Sequence, residues 1–197
     1  LLHIGYTLGE TIAGFLISTI LGFIVAVLLW WFPTSAKILD PYLVVLNALP
    51  KIAMGPIIIV WAGAGPSAII VVAVLVAVVV TVITVYNGFM QTDEDKVFLL
   101  RSFGANRWQV FAKVVLPANI PVVLSVLKIN IGLAWVGVIV GEFLVSKAGL
   151  GYLIVYGGQV FKLDLVMVSI VILSILTALM YQAIVGLEKI TTKIWQV

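Results

Sequence analysis

Cysteine is absent from the 197 residues, and histidine occurs once, at His3. The first absence excludes disulfides, thiolate metal sites and cysteine nucleophiles; the second excludes a histidine-cluster metal centre. Charge is nearly as scarce. Asp, Glu, Lys and Arg make up 10% of the chain against 63% apolar residues, whereas a soluble domain carries about 25% charged residues. Mean hydropathy is +1.29, so there is too little polar surface to solvate a globule, and the chain reads as an integral membrane protein. The net charge of +3 is scattered and forms no basic stripe interleaved with aromatics, which argues against nucleic acid as a partner. No phosphate-binding loop ending Gly-Lys-Ser/Thr occurs, and the apolar runs hold no array of acids for a proton relay.

What is present is a series of long apolar runs. A helix needs about 20 such residues to cross the hydrocarbon core, and continuous runs of this kind exclude the alternation of a β-barrel. Residues 11–29 form one span, with Trp30 and Trp31 as an interfacial anchor. A short polar connection, "PTSAKILDP", follows. The 39 uncharged residues 52–90 exceed one span, and "GAGPS" at 63–67 divides them into spans at 43–62 and 68–90. A fourth span covers 122–144. A Gly-rich connector, "SKAGLGYLIVYGGQVFKLD", leads to the fifth at 165–187. The sequence is thus a single all-α membrane domain over 1–197. It opens on Leu1 without a basic leader, and with five spans its first residue falls on the opposite side from its last. A sixth helix preceding residue 1 is expected.

Basic residues set the orientation. Lys37, Lys51, Lys96, Arg101, Arg107, Lys113, Lys189 and Lys193 fall on one side, Lys147 and Lys162 on the other, and Lys128 within the fourth span. The bias places the segment 92–113 and the C-terminus in the cytoplasm. That segment is itself unusual. The chain has eleven Lys and Arg and eight Asp and Glu, and seven of these nineteen lie within residues 93–117, "DEDKVFLLRSFGANRWQVFAKVVLP". Acidic residues 93–95 suit the first turn of a helix, Gly104 allows a break, and a second helix can follow. Val97, Leu100 and Phe103 supply an apolar stripe. A loop that only reversed the chain needs two to eight residues, so this one is built to dock.

The spacing here resembles the cytoplasmic signature loop of binding-protein-dependent ABC importer permeases: Glu-Ala-Ala, three residues, Gly, nine residues, a small aliphatic, any residue, Leu-Pro. Gly104 is followed after nine residues by Val114, Val115, Leu116 and Pro117, while Phe98, Leu99 and Leu100 stand where the family has Glu-Ala-Ala. "LDPYLVVLNALPKIAMGPIIIVWAGAGPS", "LKINIGLAWVGVIVGEFL" and "AGLGYLI" resemble, in order, further segments of the nitrate, sulfonate and taurine-type permeases. The resemblance implies the transmembrane domain of a type I ABC importer in a bacterial inner membrane. It implies a second permease copy, identical or closely related, two cytoplasmic ATPases and an extracytoplasmic solute-binding protein. This chain would then catalyse nothing and bind no cofactor, with ATP and magnesium held by the ATPases. The solute would be a small anion or small organic molecule in the nitrate, sulfonate, taurine, riboflavin or thiamine-precursor range.

The same resemblance assigns ATPase coupling to Phe98, Leu99, Leu100, Arg101, Phe103, Gly104, Ala105 and Arg107. Leu99, Leu100 and Phe103 would form a knob, and the two arginines would pair with acids of the ATPase groove. Val114, Leu116 and Pro117 close the loop. Asn130, Trp135 and Glu142 are candidates for the pathway or a gate, although buried amides and tryptophans equally bind helices together. Lys128 is expected to snorkel to the interface, and Gly132, Gly137 and Gly141 to mark a dimer seam. His3 and Glu10, near the chain end, receive no role. An ion-coupled secondary transporter, or a membrane assembly protein without transport activity, would share the hydropathy profile but not the loop.

Overall fold

The computed structural model describes residues 1–195, with side chains through 191, and every regular element among them is helical. Backbone groups in a bilayer must find partners within the chain, which helices supply from their own carbonyls. Helix α1 (Leu2–Trp31) is followed by α2 (Pro33–Ala48), α3 (Gly55–Ala62), α4 (Pro66–Met90), α5 (Glu94–Ser102), α6 (Arg107–Val110), α7 (Leu116–Ala118), α8 (Ile120–Val145), α9 (Leu150–Gln159) and α10 (Leu163–Trp195). Four of these, α1, α4, α8 and α10, are single helices long and apolar enough to span.

The second expected span takes a different shape. The polar stretch read as a connection is helical in α2, and its residues 33–48 and 51–62 form two arms bent by 83°. Pro50 explains the break: it cannot continue a helix, and it holds Leu49 extended at φ −60°, ψ 138°. Ala36 packs with Leu29 and Val82, and Leu43, Val78 and Tyr86 pack against this cluster. Lys51 sits at the bend, as the first residue of the second arm. The side chain of Lys193 lies outside the described residues. Two other boundaries moved: α1 begins nine residues earlier than expected, and the Gly-rich connector contains α9.

Helix α4 forms the centre, clasped by α1 on one side and α8 on the other. Its buried face carries Ala68, Ile69, Val72, Ala73 and Ala77. Small residues permit the approach: a Cβ built on Gly137 would lie 2.5 Å from the Ala73 Cα, and one on Gly141 would lie 3.0 Å from the Ile69 Cα. These two glycines thus join helices within one protomer instead of marking a seam between protomers. Gly132 meets nothing within 4 Å. Near the 93–117 end, Ala26, Val85, Phe89, Val110, Phe111, Val115 and Val126 form the largest apolar cluster. Helix α10 packs on α8 and α9 and leaves most of its apolar surface, including Met167, Val171, Ile175 and Leu179, exposed.

Replacing Gly137 with alanine is expected to lower the thermal midpoint of the detergent-purified protein, since forcing a methyl into a filled contact costs about 1–3 kcal/mol. Gly132→Ala, where the space is open, should leave the midpoint unchanged or slightly raised. Equal midpoints for the two variants would contradict this packing.

Candidate functional site

At one end of the bundle, residues 92–119 form a helix–turn–helix platform. Asp93 caps α5, its carboxylate accepting from the Asp95 N–H at 3.0 Å. Gly104 takes φ +80°, a left-handed conformation that side chains disfavour, and turns the chain sharply. A capping box starts α6: the Gln109 N–H donates to the Asn106 Oδ1 at 2.8 Å, and the Asn106 N–H donates to the Gln109 Oε1 at 2.9 Å. Residues 111–115 then widen into a π-helical turn immediately before Pro117, which has no N–H to give. Both expected helices and the break at Gly104 are present.

The stripe, however, divides. Val97, Leu100, Ala105 and Leu116 pack inward on the Phe111 cluster. Phe98, Leu99, Phe103 and Trp108 point out, and are 72%, 53%, 80% and 61% exposed. The exposed apolar face is therefore Phe98, Leu99 and Phe103, while Leu100 packs inward. Arg101 is exposed, beside Glu94, Asp95 and Phe98 around a cavity of about 540 Å³. Arg107 already has partners in its own chain: its guanidinium lies 5.9 Å and 5.7 Å from the Trp30 and Trp31 rings. Trp30 in turn sits 5.0 Å from Phe111, and Phe89 sits 5.5 Å from it. The platform is thus welded to the ends of α1 and α4. Asn119, which sequence reasoning passed over, makes a further tie: its Nδ2 donates to Thr92 Oγ1 and to the Val115 carbonyl, both at 2.8 Å. An Asn directly after "LPA" was the only signal.

Midway along the bundle, Asn130 is fully buried, and its Nδ2 donates to Thr19 Oγ1 at 2.9 Å and to Thr81 Oγ1 at 2.8 Å. It holds α1, α4 and α8 together. Trp135 is buried among Phe15, Ile131, Ala134 and Ile184. Lys128 does more than snorkel: its Nζ lies 2.6 Å from Glu188 Oε2 across to α10. It lines a groove of about 570 Å³ between α8 and α10 with Thr177, Tyr181 and Gln182.

Residues 18–190 match the family model described as "Binding-protein-dependent transport system inner membrane component". The chain belongs to this family. It is 31% identical over 182 residues to a probable ABC transporter permease protein of Haemophilus influenzae, covering 92% of this chain and 74% of that one. It is also 31% identical to a formylaminopyrimidine transport permease of Halalkalibacterium halodurans, with 95% and 75% covered. Identity to the taurine transport permease of Escherichia coli is 24%, with 95% and 68% covered. The fold matches the MetNI methionine ABC transporter in an inward-facing conformation, with a TM-score of 0.76, 23% identity and 94% of each chain covered. The protein is therefore an inner-membrane permease component of an ABC importer. Members of this family are non-catalytic subunits that work with ATPases and binding proteins.

At the opposite end of the permease, the start of α9 is capped by three side chains from elsewhere. The Gly149 N–H donates to His3 Nδ1 at 3.0 Å, the Leu150 N–H to Thr7 Oγ1 at 2.8 Å, and the Gly151 N–H to Glu142 Oε2 at 2.6 Å. Thr7 also donates to Glu142 Oε1 at 2.6 Å. Glu142 is thus a buried side chain whose oxygens serve the N-terminus of α9 and tie it to α1. His3, which accepts from the Gly149 N–H in the same cap, was missed because a single His near a chain end carries no spacing signal.

Glu142→Gln substitutes an amide for one acceptor oxygen and leaves a buried N–H or hydroxyl without a partner, at a cost of roughly 1–3 kcal/mol. The amides of residues 149–151 should then exchange hydrogen faster than in the parent protein, a change readable by mass spectrometry. Unchanged protection there would show that the cap is dispensable.

Proposed function

We propose that the 92–113 platform is the coupling element that meets a cytoplasmic ATPase and conveys its nucleotide-driven motion to the spans. The observation that supports this most is the pairing of an exposed apolar knob with a rigid mount. Phe98, Leu99 and Phe103 are exposed on a segment whose inner face is locked by Leu100, Ala105 and Phe111. Exposed aromatics on an aqueous-facing platform are anchors for a protein groove. Gly104 sets the bend, and Arg101 is placed to meet an acidic groove wall. Arg107 braces the mount through Trp30 and Trp31, and the Val114–Pro117 run joins the platform to α8.

On this reading two ATPases bind beneath two permease copies, ATP and magnesium reside on the ATPases, and the platform and C-terminus lie in the cytoplasm. A binding protein delivers solute from outside. When the ATPases close, the two platforms are pushed together, and helices α1, α4 and α8, joined through the Asn130 tie, move as one body. Asn130, Trp135 and Glu142 then act by holding that body together, while the groove around Lys128, Thr177 and Gln182 is the better placed to face the solute route. A small organic molecule or small anion as solute is supported by the names of relatives, which are permeases for formylaminopyrimidine, riboflavin, taurine and aliphatic sulfonates.

Phe98→Asp and Phe103→Asp, both at exposed positions, should leave the thermal midpoint within about 0.5 kcal/mol of stability. They should abolish co-purification of the ATPase and uptake in vesicles. Leu100→Asp should instead unfold the platform. Wild-type uptake by Phe98→Asp and Phe103→Asp together would remove the basis of the proposal.

Gly104→Pro demands φ near −65° where the backbone needs +80°. It is expected to retain ATPase binding while uptake per ATP hydrolysed falls at least tenfold. A preserved ratio in reconstituted vesicles would show that the bend carries no motion.

A further inference from the structure

The platform is closed at its own two ends. Its first residue, Thr92, and its last, Asn119, stand 27 positions apart in the chain, yet the Asn119 Nδ2 donates to Thr92 Oγ1 at 2.8 Å. Asn119 precedes α8 at the position where an asparagine side chain normally accepts from the first N–H groups of a helix, but it makes no such bond. The two N–H groups of its amide are engaged elsewhere, with Thr92 and with the Val115 carbonyl at the end of the π-helical turn, also at 2.8 Å. Asn119 is 4% exposed and lies against Gly88, where a Cβ would come within 2.7 Å of its Oδ1 and 3.0 Å of Val122. Gly88, near the end of α4, thus leaves room for this side chain beside Thr92.

A second bond of the same kind joins the same two helices. Asn130 of α8 donates to Thr81 of α4 at 2.8 Å, and it stands eleven residues after Asn119, just as Thr81 stands eleven before Thr92. Eleven residues make about three helical turns, so the two asparagines fall on one face, roughly 16 Å apart. No other side-chain hydrogen bond links the α4 leg to the α8 leg among the described residues. In lipid, apolar contacts let helices slip past one another, whereas a hydrogen bond between them fixes their register. We infer that Thr92 and Asn119 are positioning residues of the coupling device. Their bond clamps the two legs of the platform, so that a push on α5 enters α4 and α8 together and does not spread them. This rests on the reading of the platform as the coupling element, and it assigns within it the pair that shares the push between the helices. Asn130 acts too far from the platform to do this alone. The Val115 bond brings the π turn into the same clamp, and an amide suits the task because one nitrogen supplies two donors, where a hydroxyl supplies one.

The test uses the assembled transporter in lipid nanodiscs, with ATP, magnesium and vanadate as the probe and no solute. The chain has no cysteine, so Met90→Cys and Ser125→Cys, both at exposed positions near the platform ends of α4 and α8, put two spin labels at known places on it. A single label at Ser102→Cys, measured between the two permease copies, reports the approach of the platforms. In the parent protein, nucleotide should shorten the Ser102 distance and leave the Met90–Ser125 distance unchanged. Thr92→Val, which keeps the shape and removes the acceptor, should match the parent without nucleotide. With nucleotide, its Met90–Ser125 distribution should widen by roughly twofold or more, since a bond that fixes register is gone. Thr92→Ser, which keeps the hydroxyl, should behave as the parent does. Asn119→Leu removes the same bond from the other side, and it carries the test if Thr92→Val does not assemble. The clamp is overturned by a Met90–Ser125 distance that moves with nucleotide in the parent, or that stays narrow in Thr92→Val and Asn119→Leu. It is overturned equally by a distribution already wide in Thr92→Val before nucleotide is added, which marks a merely structural bond, or by equal widening in Thr92→Ser. A Ser102 distance that nucleotide does not shorten would instead overturn the coupling reading on which the clamp rests.

Discussion

The close seating of α4 between α1 and α8 is the constraint on which the other features depend. In a bilayer no hydrophobic force gathers helices, because lipid tails are as apolar as leucine. Association rests on van der Waals contact at short range and on a few interhelical hydrogen bonds. The Gly137 and Gly141 faces let α8 approach the α4 backbone, and Ala73 is met from both sides, by Gly14 of α1 and Gly137 of α8. Asn130, Thr19 and Thr81 add a polar tie that fixes the register of all three helices at once. With that core rigid, a displacement at one end can appear at the other.

The two ends use different chemistry for different demands. At the platform end, aromatic rings and a stacked guanidinium join α6 and the π turn to α1 and α4. Rings of this size bury much area with few rotatable bonds, so the mount is stiff. At the opposite end, the joints are hydrogen bonds to the first N–H groups of α9, supplied by His3, Thr7 and Glu142. Polar joints of this kind can open and reform, whereas packed rings resist. A permease that alternates between two states needs both properties, stiff joints and joints that can reform.

Much of the fold was legible because the bilayer restricts the options. Runs of about 20 apolar residues can only be helices, so four spans, the division at 63–67 and the break at Gly104 followed from composition and punctuation. The second span misled for a definite reason: apolar length does not report direction, and Pro50 in the middle of an apolar run turned two short helices by 83°. The connector holding α9 looked irregular because its glycines suggest loops, and only contact with His3, Thr7 and Glu142 makes its first turn worth forming.

The site was less legible. Spacing located the platform, yet it did not show that Leu100 faces in and Phe98 out, or that Arg107 is held by Trp30 and Trp31, since these depend on how α5 and α6 rotate against α1. Glu10 had no readable role because Glu142, the residue it meets, is far away along the chain. The sequence by itself determined that this protein lives in a membrane, where its helices lie and which segment meets water, since hydropathy and chain punctuation are local properties. The tertiary structure alone decided which side chains meet, because Glu142 and Thr7 are 135 residues apart, and only helix packing brings such residues within bonding distance.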